Sequence, residues 1–561
     1  MSPGGGPEAR SGQGQVGPGV RWAAAACALH LVLGLLLYEP VLFPGGDNAG
    51  YMILAESLRE GLGYLDLHLP GTPVHTKYPP LYPAVLAVLG WIGGLQLFKL
   101  ASLAMTAGTV WLTAGLGRAA TPAAAAAGAA GLAAVNPVLL DYGHWVLSEA
   151  PFVLLVTATL WAAVRAEADE PDGEERKGIL PDRRFLAVPL LAAAAFLTRT
   201  AGLALLAAVL LEPALRRRWR RAAWAGAVAL AAAGGWALFQ GTAAPDRARY
   251  LTEFLMVNPY DPSAGTVGLA GLVERTATNF WSYVSSVLPT SVSGVRGASG
   301  AAGAVGGLAV AGAAAAGWLR RSLRRLGTPE LFAFLYVGLI SAWPSVWVDR
   351  RFLLPLLPLL LLFVLEAAAA AARRLRSSDR ATAAGVGLAA LLLAVPALLH
   401  VGGTVPDRIR CFSGWRSGSP CVAPAQASFY AAARWTRENT PADAVVANRK
   451  PRIFYWIARR RGDVYPYSSE PTVVIEGLEA MGADYVVVDA ISGTTPRYLV
   501  PAVEANPSRF QVLHRERQPP TWVLRFLGGP GTALRDSPPR GPPRAAGGRV
   551  RALPASAGGS R

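Results

Sequence analysis

The sequence predicts a polytopic α-helical membrane protein of about eleven spans, followed by a small C-terminal extracytoplasmic α/β domain. Three observations predict it. The mean hydropathy is +0.32 over 561 residues, and apolar runs of crossing length recur between residues 22 and 401. The 53 Lys and Arg outnumber the 36 Asp and Glu, and the excess sits in short runs beside those apolar stretches. Beyond residue 425 the pattern changes to alternating strand and helix signals.

The apolar spans fall near 22–43, 96–117, 122–140, 147–165, 185–198, 201–215, 222–240, 300–319, 329–347, 352–371 and 381–401. A shorter apolar helix covers about 81–94. The basic runs are Arg216, Arg217, Arg218, Arg220 and Arg221; Arg320, Arg321, Arg324 and Arg325; and Arg373, Arg374 and Arg376. Cations flanking apolar spans mark cytoplasmic loops, so the net charge of +17 reads as topology and not as a nucleic-acid face. If the linker between Arg165 and Arg184 is also cytoplasmic, 185–198 and 201–215 must form a re-entering hairpin with Arg199 at its tip. Fourteen residues of helix rise only about 21 Å, short of the roughly 30 Å hydrocarbon core, which holds Arg199 inside the outer half of the membrane. The N-terminus is then cytoplasmic and everything beyond residue 401 lies outside.

The remaining segments complete the organisation. Residues 1–20 are a Gly/Pro/Ser-rich leader, and the run from Trp22 to Phe43 is too long for a cleavable signal and reads as an anchor. Residues 21–401 form the transmembrane domain, with external loops at 44–81 and 241–299. A linker spans 402–424 and the α/β domain 425–528, where DYVVVD reads as a buried strand. The Pro/Gly/Arg-rich tail 529–561 has no periodicity. Of three cysteines, Cys27 lies in the first span, while Cys411 and Cys421 suit a disulfide if their segment is exported.

Charged positions from five places in the sequence converge on the outer face. Asp47 opens the first external loop, and Lys77 stands near its end in HTKYPPLYP. Glu149 begins a span in LSEAPF, Arg199 caps the hairpin, and Arg350 and Arg351 follow Asp349 between two spans. Each has a plainer alternative. Asp47 suits the N-cap of the helix after it, Glu149 a first helical turn, and the 350/351 pair interfacial snorkelling. Arg199 at intramembrane depth costs about 2.5–3.5 kcal/mol, which points to a site or a structural ion pair. Together they suit sugar transfer from a lipid monophosphate. A carboxylate takes the proton of an acceptor hydroxyl, and Lys77, Arg199 and Arg350 or Arg351 stabilise the leaving phosphate. Tyr51, His75, Tyr78 and Tyr82 are expected to line the substrate. No Asp-x-Asp pair occurs, so neither a metal nor another cofactor is demanded.

The segments GDNAGYMILAESLREGLGY…HTKYPPLYP, LSEAPF, LTRTAGL and DRRFLLPLLPLL resemble bacterial relatives of the protein O-mannosyltransferases and the aminoarabinose transferase of lipid A. The resemblance runs over most of residues 20–400, and the region from YAAARWTREN to DYVVVD resembles the soluble tail of many uncharacterised members. It implies a GT-C fold, a polyprenyl-phosphate sugar donor, inverting transfer of a hexosyl or pentosyl group, and Asp47 as the catalytic carboxylate. Lys77 matches a basic residue facing the donor phosphate, and Arg199 a basic position in a Thr-Lys/Arg-Gly segment. Many relatives carry a second acid directly after the loop Asp; here Asn48 stands there, and Glu149 matches an acid before Pro that would replace it. The acceptor is a lipid, a polysaccharide or a protein. Two other functions compete. A glycolipid transporter or flippase would move lipid without sugar transfer, although no inverted repeat is detectable. A non-catalytic scaffold would bind glycan through the domain beginning near residue 425.

Overall fold

The computed structural model describes residues 18–168, 181, 183–243, 250–261, 264–294, 300–375, 378–417 and 421–528. Most of the leader, the tail from 529, most of the 166–183 linker and parts of the second external loop lie outside the described residues.

Helices dominate as far as residue 417. In order they are α1 (Pro18–Leu36), α2 (Gly46–Arg59), α3 (Leu81–Gly90), α4 (Leu95–Ala120), α5 (Ala123–Val135), α6 (Pro137–Tyr142), α7 (Glu149–Ala168), α8 (Arg183–Thr198), α9 (Leu203–Leu215), α10 (Trp219–Ala229), α11 (Gly235–Ala243), α12 (Tyr250–Leu255), α13 (Leu269–Ser282), α14 (Leu288–Ser293), α15 (Ala301–Arg324), α16 (Thr328–Ala342), α17 (Leu357–Leu375) and α18 (Asp379–Arg416). Among the described residues, seven stretches are long and apolar enough to cross a membrane: Gly19–Leu36, Leu95–Ala119, Glu149–Ala168, Trp219–Ala243, Ala301–Arg324, Arg350–Leu375 and Asp379–Arg416. The other four expected spans correspond to α5 with α6, α8, α9 and α16, all shorter. The 122–140 segment is interrupted because the Asn136 side chain accepts from Leu139 N at 3.0 Å and Pro137 starts a new helix. The last span is longer than its apolar run. α18 continues through Pro396 and Pro406 to Arg416, so the first part of the expected 402–424 linker is helical.

Small residues let the helices approach closely, as van der Waals packing in lipid requires. A Cβ on Gly317 of α15 would sit 2.0 Å from the Phe363 carbonyl of α17, so only glycine fits this crossing. The expected hairpin forms: α8 and α9 pack together, with Arg199 at the turn between them.

Helix α7 orients the bundle. Its first residue, Glu149, pairs with Arg199, and near its other end Glu167 lies 3.6 Å from Arg325. About 18 residues of helix separate these ends by about 27 Å. Arg325 belongs to the expected cytoplasmic flank after α15, so that flank and the Arg199 turn occupy opposite ends of α7. At the Glu167 end Arg321 holds Glu330 at 2.6 Å and Glu366 at 3.4 Å.

The C-terminal unit contains α19 (Pro424–Asn439), β1 (Val446–Ala447), α20 (Pro451–Ala458), α21 (Pro471–Ala480), β2 (Tyr485–Val488), α22 (Val500–Ala505), β3 (Phe510–Arg517) and β4 (Pro520–Phe526). The strands form one sheet in the order β1-β2-β4-β3, with β1 and β2 parallel and the other pairs antiparallel. β2 is buried throughout, as its unbroken apolar run predicts. The strand expected over ADAVVANR is only two residues long. Cys411 and Cys421 are disulfide-bonded, joining the end of α18 to the start of this unit. The unit rests on the first loop through α20, which packs along α2.

Candidate functional site

Asp47 lies in the first turn of α2, but it is not the cap. Gly45 takes the N-cap position, because the Gly45–Gly46 pair starts the helix earlier than Asp47 would. The carboxylate is therefore free to face a cleft, where 41% of it is exposed. Its Oδ1 accepts a hydrogen bond from the Tyr78 hydroxyl at 2.7 Å, and Arg452 Nη1 lies 3.6 Å away. Its Oδ2 faces Arg351 Nη1 at 3.4 Å. Desolvation pushes this carboxyl up, but the charges of Arg351 and Arg452, the Tyr78 hydrogen bond and Lys77 outweigh it, so Asp47 titrates below the usual carboxylate range. Asn48 is buried, with Nδ2 donating to the Phe43 carbonyl at 2.8 Å. It holds the entry to α2 and faces no cleft.

Tyr78 is held from three sides. Its N–H donates to His75 Nε2 at 2.8 Å, so that nitrogen is the acceptor and Nδ1–H donates to Asp66 Oδ1 at 2.9 Å. Burial holds the His75 imidazole below its ordinary value despite Asp66, which keeps this tautomer neutral at pH 7. Tyr64 donates to the Tyr78 carbonyl at 2.9 Å, and Arg452 Nη1 donates to its hydroxyl at 2.5 Å. His75 is 2% exposed, so it supports Tyr78 more than it meets solvent. The Tyr51 ring lies 4.8 Å from that of Tyr78, tilted by 34°, and its hydroxyl reaches Ser148 Oγ at 2.8 Å. Tyr82 sits behind Tyr51, edge-on at 5.1 Å, and is 1% exposed.

Two cavities meet at Asp47 and Lys77. One of about 400 Å³ runs toward the bundle and is lined by Tyr51, Arg199 and Arg351, with Trp343, Trp347 and Phe352 on its apolar side. The other, of about 450 Å³, lies between the first loop and the C-terminal unit and is lined by Asp66, Arg449, Lys450 and Arg452. An apolar groove of about 970 Å³ along α13, α15, α16 and α17 shares Ile340 with the first cavity.

The expected site residues divide accordingly. Asp47, Tyr51, Lys77, Tyr78, Arg199 and Arg351 line the first cavity. Glu149 is 3% exposed, and its Oε1 lies 2.6 Å from Arg199 Nη1, which also donates to Ser148 Oγ at 3.0 Å. The guanidinium of Arg199 sits 6.0 Å from the Phe152 ring and 5.9 Å from the Phe352 ring. Lys77 Nζ is 2.7 Å from Glu253 Oε1 of α12. Arg350 is turned away, with Nη2 3.1 Å from Asp141 Oδ2, and it lines neither cavity. Sequence reading missed Glu253, Asp141 and above all Arg452. The available signal for Arg452 was RKPRIFYWIARR, which spaces arginines 452 and 459 seven residues apart. Among the described residues no group of three or more His, Cys, Asp or Glu is placed to hold a metal ion.

No family model and no curated protein matches the chain by sequence. Solved structures do match. ArnT from Cupriavidus metallidurans, bound to undecaprenyl phosphate, matches at a TM-score of 0.53 and 16% identity over 91% of this chain and 99% of that one. The apo oligosaccharyltransferase of Archaeoglobus fulgidus matches at 0.55 and 13% identity over 84% of this chain and 69% of that one. At this identity the likeness concerns architecture: the chain has the GT-C fold of integral-membrane glycosyltransferases.

Proposed function

We propose that the protein transfers a sugar from a polyprenyl-phosphate donor to a hydroxyl on a lipid, polysaccharide or protein acceptor. The reaction takes place at the outer face of a bacterial cytoplasmic membrane, with the N-terminus inside and the α/β unit outside. The observation that carries this reading is the first cavity. It sets one low-pKa carboxylate, Asp47, beside Arg351 and near Arg199, and it adjoins an apolar groove suited to a prenyl chain.

Asp47 accepts the acceptor hydroxyl proton as the acceptor oxygen bonds to the anomeric carbon. The carbon–oxygen bond to phosphate breaks on the opposite side, which inverts the centre, and polyprenyl phosphate departs with that electron pair. Arg351, Arg199 and Lys77 are in place to stabilise its charge. Glu149 is assigned here to holding Arg199 rather than to proton transfer, because its carboxylate is buried against that guanidinium. Arg350 is assigned to the fold through Asp141. The ArnT match, solved with undecaprenyl phosphate, supports the donor class.

The test is consumption of a panel of polyprenyl-phosphate sugars by membranes containing the protein with a broad acceptor extract, read by mass spectrometry. The expected result is loss of one donor with wild type and none with Asp47→Asn. Equal consumption by both removes Asp47 as the base, and no consumption by correctly inserted wild type removes the transferase reading.

A further inference from the structure

We infer that Arg452, carried by the C-terminal unit, is a positioning residue of the catalytic centre: it fixes the Tyr78 proton on Asp47 Oδ1 and leaves Oδ2 to meet the acceptor hydroxyl. The inference rests on the reading of Asp47 as the base.

The donor and acceptor chemistry fixes the direction of both contacts. A guanidinium only donates, so in the 2.5 Å contact between Arg452 Nη1 and Tyr78 Oη the phenol oxygen is the acceptor. An ionised carboxylate only accepts, so in the 2.7 Å contact with Asp47 Oδ1 the Tyr78 hydroxyl supplies the proton. Tyr78 therefore donates to Oδ1, and Arg452 holds the rotor there while lying 3.6 Å from the same oxygen. Oδ1 is occupied. Among the described residues, Oδ2 has the longer 3.4 Å approach of Arg351 and is the oxygen left for proton transfer.

The contact is built into the docking of α20 on α2. Arg452 lies in the first turn of α20, and Arg459 follows its last residue as the C-cap, in the left-handed region (φ 52°). Arg459 Nη1 binds both oxygens of Glu56 at 3.0 and 2.9 Å, one end of α2 away from Asp47. Gly462 N–H donates to the His68 carbonyl at 2.9 Å. A Cβ on Gly50 would lie 3.1 Å from Arg452 Cδ, so the glycine leaves room for the arginine stem. The charged and titratable groups acting on Asp47 are Arg351 from the turn before α17, Arg452 and Lys450 from the C-terminal unit, and Lys77 and Tyr78 from the first loop.

The experiment uses full-length protein in detergent with the donor that wild type consumes, and measures kcat/KM against pH for Arg452→Gln, Arg452→Lys and Arg459→Gln. Arg452→Gln is expected to move the acid limb up by about one pH unit and to lower kcat about tenfold, with donor KM changed less than about threefold. Arg452→Lys is expected to return the limb toward wild type. Arg459→Gln is expected to lower the unfolding temperature without moving the limb. An unmoved limb in Arg452→Gln, or the same movement in Arg459→Gln, overturns the inference. A second measurement needs no turnover: the unfolding temperatures of Arg452→Gln, Asp47→Asn and the double variant. Non-additive shifts support the coupling and additive shifts overturn it. If wild type consumes no donor, the transferase reading fails by itself, and this cycle alone decides whether Arg452 holds Asp47.

Discussion

Arg350 and Arg351 are neighbours in the chain but serve different carboxylates: Arg350 Nη2 lies 3.1 Å from Asp141 Oδ2, and Arg351 Nη1 lies 3.4 Å from Asp47 Oδ2. They begin a 3-10 turn, in which consecutive side chains diverge by about 120°. Only one can face the cavity. Arg351→Ala is expected to lower kcat/KM about 100- to 1,000-fold, the usual cost of one preorganised donor to a developing anion. Arg350→Ala is expected to keep kcat near wild type and to lower the unfolding temperature. Comparable kinetic losses in both variants contradict the division.

The ion pair between Lys77 and Glu253, at 2.7 Å, sets a second expectation. Both side chains are partly solvated, at 40% and 19% exposure, so the pair is weak enough for the donor's phosphate to displace. Glu253→Gln removes the competing carboxylate and is expected to lower donor KM about two- to tenfold, a difference near 1 kcal/mol. Titration with polyprenyl phosphate alone checks this. A weaker affinity in Glu253→Gln means that Glu253 instead holds Lys77 in its binding position.

The legibility of the site follows the energetics of burial. Arg199 stood out because an arginine between apolar helices has a large desolvation cost unless something receives it, and Glu149 receives it at 2.6 Å. Asp47 and Lys77 stood out instead as ionisable groups in a Gly/Pro-punctuated loop at the membrane surface and through the resemblance of that loop. Arg452 carried no such signal. It sits among charged residues in the C-terminal unit, where an arginine is unremarkable, and it becomes informative only once α20 lies along α2. The span count was less legible than the spans. Helices α5, α8, α9 and α16 are apolar but short, and hydropathy cannot separate a short crossing from a buried helix. The two-residue β1 was overread because ADAVVANR has the strand composition while only Val446 and Ala447 find a partner in β2.

At the opposite end of the bundle, Arg321 makes a 2.6 Å pair with Glu330 and reaches Glu366 at 3.4 Å. Its side chain is 16% exposed, and the two glutamates 2% and 4%. Removing the shared cation leaves Glu330 with the Gly327 N–H and Glu366 with the distant Arg324, so Arg321→Ala is expected to destabilise the protein by about 3 kcal/mol. The adjacent Arg324 is 60% exposed and 3.8 Å from Glu366, and Arg324→Ala is expected to cost less than about 1 kcal/mol. Thermal unfolding in one detergent distinguishes them. Equal losses mean that the network relaxes around either arginine.

Asp489 in the C-terminal unit provides an expectation with a defined sign. It is 4% exposed, and burial raises its pKa to about 6, although it accepts hydrogen bonds from Ile491 N at 3.1 Å and Thr495 Oγ1 at 3.2 Å. An unfolded aspartate titrates near 3.9. Between those values the folded state binds more protons than the unfolded one, so stability falls as pH rises from about 4 to about 6 and then levels off. The full change is on the order of 2–3 kcal/mol. Asp489→Asn carries no charge to desolvate and is expected to abolish this slope, leaving the variant at least as stable as wild type at pH 7. Hydrogen exchange of the β2 amides, corrected for the intrinsic pH dependence of exchange, reads the effect where Asp489 adjoins the sheet. Wild-type protection that is flat or rising across that window means that the Asp489 carboxylate is solvated or paired in solution, and the buried acid is then not a source of acid-favoured stability.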